Sequence, residues 1–362
     1  MSLDAATLAL VAGELKTTLL DAKIDKIFEP TRDEVLVTLR TRTETHRLLL
    51  SARSDVADFT AGQQDTLEEP ETEQEQEPDT PAVNPQTPLP ASPRTALAFQ
   101  DNGVPSQTVK ITNTAGYTVV RGVCIKNGSN KTLDADTLAA EGFAAQLTGD
   151  APQVLILHTH ATETYQTWDT PVYDPDFTAR TKDTTLNMCA VGEAMTKVLN
   201  DAGITTLHDT TLHDSPSYTE SYARSAQTAR RYLEEYPSIK VVLDVHRDAM
   251  ESGDARVRPL TTLDGQPTAQ VMIIAGCNNG GTVQLPNWRL NLCFAAKWEE
   301  RMEMLYPGLT RPVLCGYRFY NQDVSPGALL IEIGGHANTV QQAVRAGQYA
   351  AKALAALFDG SV

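Results

Sequence analysis

The sequence predicts an α/β protein whose main domain is a three-layer arrangement with a mostly parallel sheet. Its first sign is a set of four short apolar runs that stop at polar residues: Val154–Leu157, Val241–Val245, Val271–Ala275 and Leu329–Ile333. A parallel sheet covered on both faces needs such runs. The second sign is a set of helical stretches near 186–202, 220–235, 288–305 and 339–358. Strands alternating with helices give a layered α/β domain, in which ligands bind beyond the carboxyl ends of the strands.

The composition is that of a folded, acidic protein. The 362 residues are 41% hydrophobic and 21% charged, near the globular average, and suffice for one large domain plus smaller pieces. No run of about 18 apolar residues could span a bilayer, and Met1–Thr18, which is interrupted by Glu14 and Lys16, is not expected to be a secretory signal. A net charge of −16 argues against broad binding to nucleic acid, so no nucleic-acid partner is expected. The five cysteines lack CxxC spacing and are expected to be buried apolar residues.

Two segments precede the main domain and its lead-in. Residues 1–59 predict a small α+β piece, with a helix followed by strands at Glu34–Leu39 and His46–Ser51. Residues 60–95 combine an acidic run with seven prolines, a composition that cannot bury enough apolar surface to fold. This segment is predicted to be a disordered, extended linker.

The rest of the chain is divided at about residue 150. Residues 96–150 predict a small β-rich lead-in, with strand-like runs at Thr108–Ile111, Tyr117–Val120 and Val123–Ile125 and a helix from Asp134 to Leu147. Residues 151–362 form the predicted catalytic domain.

Residue types that commonly bind metal ions cluster where the first apolar run ends. His158, His160 and Glu163 follow Leu157 within six positions. At the two-residue period of a strand, the two histidines would point to the same side, and Glu163 is close enough to fold back towards them. Histidine with a carboxylate is a common donor set for catalytic zinc. This edge of the sheet is therefore a candidate metal site.

Two further runs bring ionisable groups to the same kind of position. The second run leads into His246, Arg247 and Asp248. The last run carries Glu332 between Ile331 and Ile333. A carboxylate inside an apolar strand is costly unless it is paired or lies near a metal, so Glu332 is the strongest candidate for a catalytic carboxylate.

Each candidate also has a structural interpretation. A histidine at a strand end is more often a hydrogen-bonded structural residue, which is the main interpretation of His208, His213 and His336. His158 is balanced between this and a role in orienting a neighbouring ligand. Ligation is favoured for His160 and His246, because each ends a separate strand at the expected ligand-binding edge.

The polar neighbours of these residues remain open between two roles. Asp244 and Asp248 could form salt bridges or orient a ligand. Arg247 could pair with an acid or hold a substrate carboxylate through its planar fork.

A series of short sequence motifs, in the same order along the chain, resembles the stage II sporulation protein P family over about residues 110–358. The motifs include His158–Glu163, Val191–Gly192, His213–Asp214, Ser221–Tyr222, Asp244–Asp248, Tyr320–Gln322 and Glu332–Gly335. The resemblance implies an N-acetylmuramoyl-L-alanine amidase of endospore-forming bacteria, with the zinc amidase fold. It implies hydrolysis of the amide between muramic acid and L-alanine, endopeptidase action on stem cross-links, and a role in engulfment.

The resemblance also implies the partners and location. The substrate would be peptidoglycan glycan strands with stem peptides, and the partners would be other sporulation cell-wall hydrolases. The family is membrane-anchored and acts outside the cell membrane at the forespore septum, whereas this sequence shows neither a signal peptide nor a transmembrane segment.

By position, the resemblance implies Zn²⁺ held by His160, Glu163 and His246, with Glu332 as the base. The wider fold takes its glutamate ligand from the start of the helix after the first strand. The corresponding segment here, Lys182–Asn187, has Asp183 as its one acidic residue and no glutamate. Supporting or substrate-binding roles would fall to four further residues: His158, Arg247, Asp248 and Asn321.

Two competing functions remain at this point. One is another zinc hydrolase of similar architecture, such as a carboxypeptidase or a deacetylase. The other is a non-enzymatic ribosome-associated or scaffold protein, because residues 1–59 resemble the start of an NFACT-N domain in the words Leu3–Asp4, Ile24–Ile27 and Leu48–Ala52.

Overall fold

The computed structural model describes residues 104–111, 117–120, 122–134, 147, 149–174 and 177–359, together with the backbone of 23–31, 34–40 and 45–51. Contacts within the chain divide it into two units, Met1–Val83 and Asn84–Val362.

The first unit contains a three-stranded antiparallel sheet. Its strands are β1 (Lys23–Thr31), β2 (Glu34–Arg40) and β3 (Thr45–Ser51), paired in that order. The last two coincide with the predicted strands, whereas β1 was not predicted. The predicted N-terminal helix and the predicted linker at 60–95 lie outside the described residues.

The second unit alternates strands and helices. Its described strands are β4 (Val104–Val109), β5 (Thr118–Val120), β6 (Val123–Gly128), β7 (Val154–Leu157), β8 (Val172–Tyr173), β9 (Thr206–His208), β10 (Val241–Asp248), β11 (Glu251–Ser252), β12 (Ala255–Leu263), β13 (Gln266–Ala269), β14 (Val271–Gly276), β15 (Val313–Gly316) and β16 (Ala328–Gly335). Its described helices are α1 (Met188–Asp201), α2 (Ser221–Glu235), α3 (Trp288–Leu305) and α4 (Val340–Asp359). None of these helices is both long and apolar enough to cross a lipid bilayer.

An eight-stranded sheet forms the centre of this unit, in the order β5-β6-β15-β14-β16-β10-β7-β9. Five of its seven neighbouring pairs are parallel, and the β5–β6 and β14–β16 pairs are antiparallel. The predicted mostly parallel sheet is therefore confirmed, and the four predicted runs are β7, β10, β14 and β16. One difference is the direction of β14, which runs opposite to its neighbour β16.

The described strands of the predicted lead-in pair with the rest of this unit. β5 and β6 extend the central sheet beside β15. β4 pairs in parallel with β12, in a smaller sheet of order β11-β12-β4-β8. The helix expected over Asp134–Leu147 falls largely on residues outside the described part.

Helices cover both faces of the sheet, as the uniformly apolar strands require. On one face α1, α3 and α4 contribute Met195, Trp298 and Ala350 to the main core. The other face has a smaller core, in which Ala229 of α2 packs against Leu155 and Val242. Val324, from the segment joining β15 to β16, packs beside them. The predicted three-layer arrangement is confirmed.

The strand directions place the candidate residues at one edge. Because β7, β10 and β16 are parallel neighbours, their carboxyl ends meet at the same edge of the sheet. The residues that follow β7 and those at the ends of β10 and β16 are brought together there.

Candidate active site

Strand register places His246 beside Glu332. The two residues are partners across the β10–β16 pair. Leu243 and Val245 belong to the main core, as do Ile331 and Ile333, so alternation turns Asp244, His246 and Glu332 to the opposite, α2-covered face. These three ionisable groups therefore share one face at the carboxyl ends of two adjacent strands.

Two buried carboxylates hold the turn that follows β7. Asp244 accepts hydrogen bonds from the backbone N–H of Thr159 at 2.8 Å and from its hydroxyl at 2.6 Å. Asp214 accepts from the backbone N–H and hydroxyl of Thr162 at 3.2 and 2.7 Å. Asp244 thereby fixes the start of the turn to β10, and Asp214 fixes Thr162, near its end, to the segment that joins β9 to α2.

The two histidines favoured as ligands lie next to each other. The rings of His160 and His246 are both buried and meet edge to face, with centroids 5.2 Å apart. The other side of the His160 ring stacks on Tyr218, at 4.4 Å between centroids. Burial lowers the pKa of His160 to about 3, so its imidazole is neutral and able to bind a metal.

Asp244 also lies behind His246. Nε2 of His246 is 2.8 Å from Oδ1 of Asp244, within ion-pair range, although the angle is not that of a hydrogen bond. Burial opposes the charged imidazole, but Asp244 and Glu163 outweigh it and raise the pKa of His246. A carboxylate on one ring nitrogen leaves the other, Nδ1, turned towards Glu163.

Glu163 joins this pair from the end of the turn. Its Oε2 lies 3.7 Å from Nδ1 of His246, and its Oε1 lies 3.7 and 3.8 Å from the guanidinium groups of Arg180 and Arg247. Burial opposes ionisation, but Arg247, His246 and Arg180 outweigh it and hold the pKa of Glu163 below its usual range. The alternative carboxylate, Asp183, is exposed and accepts hydrogen bonds from Thr185 instead.

Glu332 is the carboxylate without a fixed partner. Its Oε2 is buried and has no hydrogen-bond partner within the part of the chain that the structure describes. Burial, and then the nearby Asp248, raise its pKa to about 8. Asp248 is itself paired with Arg311, at 2.9 Å between Oδ2 and Nη1. Such a carboxyl group is poised to take up and release a proton near neutral pH.

His158 differs from the sequence-based expectation. Its Nδ1 donates to the carbonyl of Val245 at 2.8 Å, and its Nε2 lies 2.9 Å from Nε2 of His208. A Cβ added at Gly192 of α1 would come within 2.5 Å of both rings. β7 ends at Leu157, so strand alternation no longer applies, and His158 points to the α1 side while His160 contacts Tyr218 and Tyr222 near α2. His158 therefore links β10 to His208 of β9 and packs against Gly192 of α1.

The remaining predicted residues make supporting contacts. Arg247 donates to the carbonyls of Thr164 and Ala179, both at 3.0 Å, and so braces the loop after Glu163. Asn321 donates through its amide to the carbonyl of Tyr222 at 2.8 Å. Both side chains hold segments that border the two histidines.

Several residues of the site were not found from the sequence. Tyr218 and Arg180 lie in long connections with no periodic pattern, and Arg311 precedes a short strand that was not predicted. Only contacts between distant segments reveal them, and the sequence carries no local signal for those contacts.

The arrangement gathers two imidazoles and a carboxylate beside a second, unpaired carboxylate. Among the described residues, no group of three or more His, Cys, Asp or Glu side chains is spaced as a set of metal ligands. The donor types nevertheless match those of catalytic zinc. In the same place, Oε2 of Glu332 has no hydrogen-bond partner among the described residues, and Nε2 of His246 is close to Asp244 without the geometry of a hydrogen bond.

Comparison with solved structures found several similar chains. N-acetylmuramoyl-L-alanine amidase AmiC2 of Nostoc punctiforme is 11% identical, with a TM-score of 0.34 over 59% of this chain and 98% of that chain. The amidase Ami1 from Mycobacterium abscessus is 10% identical, with a TM-score of 0.33 over 57% and 99% of the two chains. N-acetylmuramoyl-L-alanine amidase from Clostridium difficile 630 is 15% identical, with a TM-score of 0.36 over 59% and 97%.

Comparison of sequences identifies the family. Stage II sporulation protein P of Bacillus subtilis (strain 168) is 29% identical over 224 aligned residues, and the match covers 59% of this chain and 53% of that protein. The chain thus spans about half the length of this curated relative. The model of the stage II sporulation protein P family matches residues 18–355, a range that begins within the segment whose resemblance to NFACT-N stays a prediction. The predicted resemblance is confirmed, and the chain belongs to the stage II sporulation protein P family.

Proposed function

We propose that this protein is a zinc-dependent peptidoglycan hydrolase that cleaves the amide between N-acetylmuramic acid and L-alanine during endospore formation. The observation that carries the proposal is the meeting of His160, Glu163 and His246 beside Glu332, whose Oε2 has no hydrogen-bond partner. Membership of the sporulation family supports the cell-wall substrate, a role in engulfment and action together with other sporulation cell-wall hydrolases. The same centre could also act on peptide cross-links.

The residues fit a zinc ion by their chemistry. His160, Glu163 and His246 would hold it, and Asp244 behind His246 matches the carboxylate that commonly orients a metal-bound imidazole. Bound zinc supplies Lewis acidity and lowers the pKa of water from 15.7 to about 7.

Glu332 would move the proton. It accepts a proton from the attacking water and returns it to the nitrogen of L-alanine as the C–N bond breaks. A pKa of about 8 allows both steps near neutral pH. Among the described residues, Glu332 forms no salt bridge, and Arg311 is paired with Asp248.

Product analysis tests the proposal. The full-length protein would be incubated with purified peptidoglycan, with added zinc and with a chelator, and the soluble products would be identified by mass spectrometry. We expect zinc-dependent release of intact stem peptides that begin with L-alanine. Release of acetate would indicate a deacetylase, and release of single C-terminal residues would indicate a carboxypeptidase. No soluble product under any condition would favour a non-enzymatic role, and each of these three results contradicts the proposal.

A further inference from the structure

Two chemically different surfaces lie on either side of the candidate site. On one side, the guanidinium of Arg180 lies 5.0 Å from the ring of Tyr218, which stacks on His160. The side chain of Arg180 is 32% exposed, whereas the carboxylates beside it, Asp214 and Glu163, are buried. The member of this ion-pair cluster that solvent reaches most is therefore the guanidinium of Arg180.

The other side consists of uncharged aromatic rings. The ring of Tyr222 is parallel to that of His246, with centroids 6.4 Å apart, and Tyr320 stacks on Tyr222 at 5.5 Å. Phe319, the residue immediately before Tyr320, is 40% exposed. We call Tyr222, Tyr320 and Phe319 the aromatic row. Ring contacts run from the metal-ligand candidate His246 through Tyr222 to Tyr320, and the neighbouring Phe319 is exposed at the protein surface.

The backbone under the outer part of this row is strained. Tyr320 and Asn321 have φ angles of 43° and 53°, a left-handed conformation that asparagine tolerates but that costs a residue such as tyrosine roughly 1–2 kcal/mol. Such strain persists only where the surroundings impose it, and it concentrates at functional sites.

Buried amide contacts hold the strained segment. The side chain of Gln322 accepts from the N–H of Gly276 and donates to the carbonyl of Ile274, both at 2.8 Å. Asn321 donates to the carbonyl of Tyr222 at 2.8 Å and to the hydroxyl of Ser225 at 3.1 Å. The ring of Tyr320 is thus fixed against α2, next to the site.

We propose that the aromatic row binds the pyranose rings of the glycan strand, so that the stem peptide extends to the Arg180 side. This rests on the proposed function, because it takes peptidoglycan as the substrate. The saccharide is largely uncharged and has apolar C–H faces that stack on aromatic rings, as the aromatic row requires. The peptide carries carboxylates, which a guanidinium attracts. The scissile amide joins these two parts, and the site lies between the two surfaces.

The test measures binding of the saccharide alone. Short oligomers of N-acetylglucosamine carry no peptide, so the proposed hydrolysis cannot consume them. They would be titrated calorimetrically into the full-length protein and into Phe319→Ala and Tyr320→Asn. Asparagine removes the ring but tolerates a left-handed backbone. Met304→Ala is the matched control, because Met304 is a 50% exposed apolar side chain on α3.

We expect each ring variant to weaken saccharide binding by about 2- to 10-fold, because a lost stacking contact costs about 0.5–1.5 kcal/mol. The melting temperature of Phe319→Ala should equal that of the wild type. Met304→Ala should bind like the wild type. Equal affinities for wild type and both ring variants would overturn the inference, as would absence of saccharide binding to the wild type at millimolar concentrations. It would also be overturned if free stem peptide, rather than saccharide, lost affinity in Phe319→Ala.

These outcomes are separable from failure of the proposed function. If the protein hydrolyses peptidoglycan but the ring variants bind saccharide as the wild type does, only the proposed role of the aromatic row is refuted. Ring-dependent saccharide binding without zinc-dependent hydrolysis would refute the proposed reaction and leave the aromatic row in place.

Discussion

Glu332→Gln should separate catalysis from stability. The substitution keeps the volume of the side chain but removes the group proposed to carry the proton. A general base commonly contributes about 10²–10⁴ in rate, which corresponds to about 3–5 kcal/mol of activation free energy. We therefore expect turnover on peptidoglycan to fall by at least about two orders of magnitude.

The structure predicts a different result for folding. Removing one partner of a buried ion pair typically costs about 3–5 kcal/mol of stability. Among the described residues, Oε2 of Glu332 has no hydrogen-bond partner and Glu332 forms no salt bridge, because Arg311 is paired with Asp248, so no such pair is broken. The free energy of unfolding of Glu332→Gln should lie within about 1 kcal/mol of the wild type or above it.

The assay combines release of stem peptide, zinc content and denaturant unfolding on one preparation. Glu299→Gln is the matched control, because Glu299 is also a buried carboxyl group with a pKa raised to about 8, but it lies on α3 and bonds to Thr310. It should keep full turnover. Near-normal turnover in a stable, zinc-loaded Glu332→Gln protein would refute the proton-transfer role, and a loss of several kcal/mol in stability would show a structural ion pair instead.

Two further predictions concern the surrounding fold. Gly192→Ala places a methyl group within 2.5 Å of both His158 and His208. Despite the better helix propensity of alanine, we expect this clash to lower the free energy of unfolding in urea by about 1–3 kcal/mol. An unchanged urea midpoint would contradict the packing described. Burial raises the pKa of Glu299 to about 8, so the folded state retains a proton that the unfolded chain releases, and wild-type stability should fall as pH rises from about 5 to about 8. Relative to the wild type, Glu299→Gln should gain roughly 1–3 kcal/mol between about pH 5 and pH 7, and parallel pH profiles for the two proteins would contradict this.

The strands that carry the site could be predicted because their patterns are local. Val154–Leu157 and Leu329–Ile333 are uninterrupted apolar runs, apart from one glutamate, and correspond closely to β7 and β16. Glu332 was conspicuous for the same reason, since a charge in an apolar strand requires an explanation. His246 followed from its position at the end of another such run.

What could not be predicted depends on contacts between distant segments. An apolar run carries no signal for its direction, so the reversed orientation of β14 was not foreseen. His158 turns towards α1 because β7 ends at Leu157 and because Gly192 leaves space for its ring. The two-residue period of a strand gives no information about either of these causes. Tyr320 adopts a left-handed backbone without being a glycine, because Asn321 and Gln322 are anchored on other elements.

The most direct test of the central claim is the zinc content of histidine variants of the full-length protein. His160→Ala and His246→Ala would be compared with the wild type and with His336→Ala, a buried strand-end histidine predicted to be structural. After loading with zinc and removal of excess metal, the ion would be counted by inductively coupled plasma mass spectrometry. We expect one zinc per chain in the wild type and in His336→Ala, and loss of most of the metal in the other two variants. Retention of one zinc per chain by both His160→Ala and His246→Ala would contradict it.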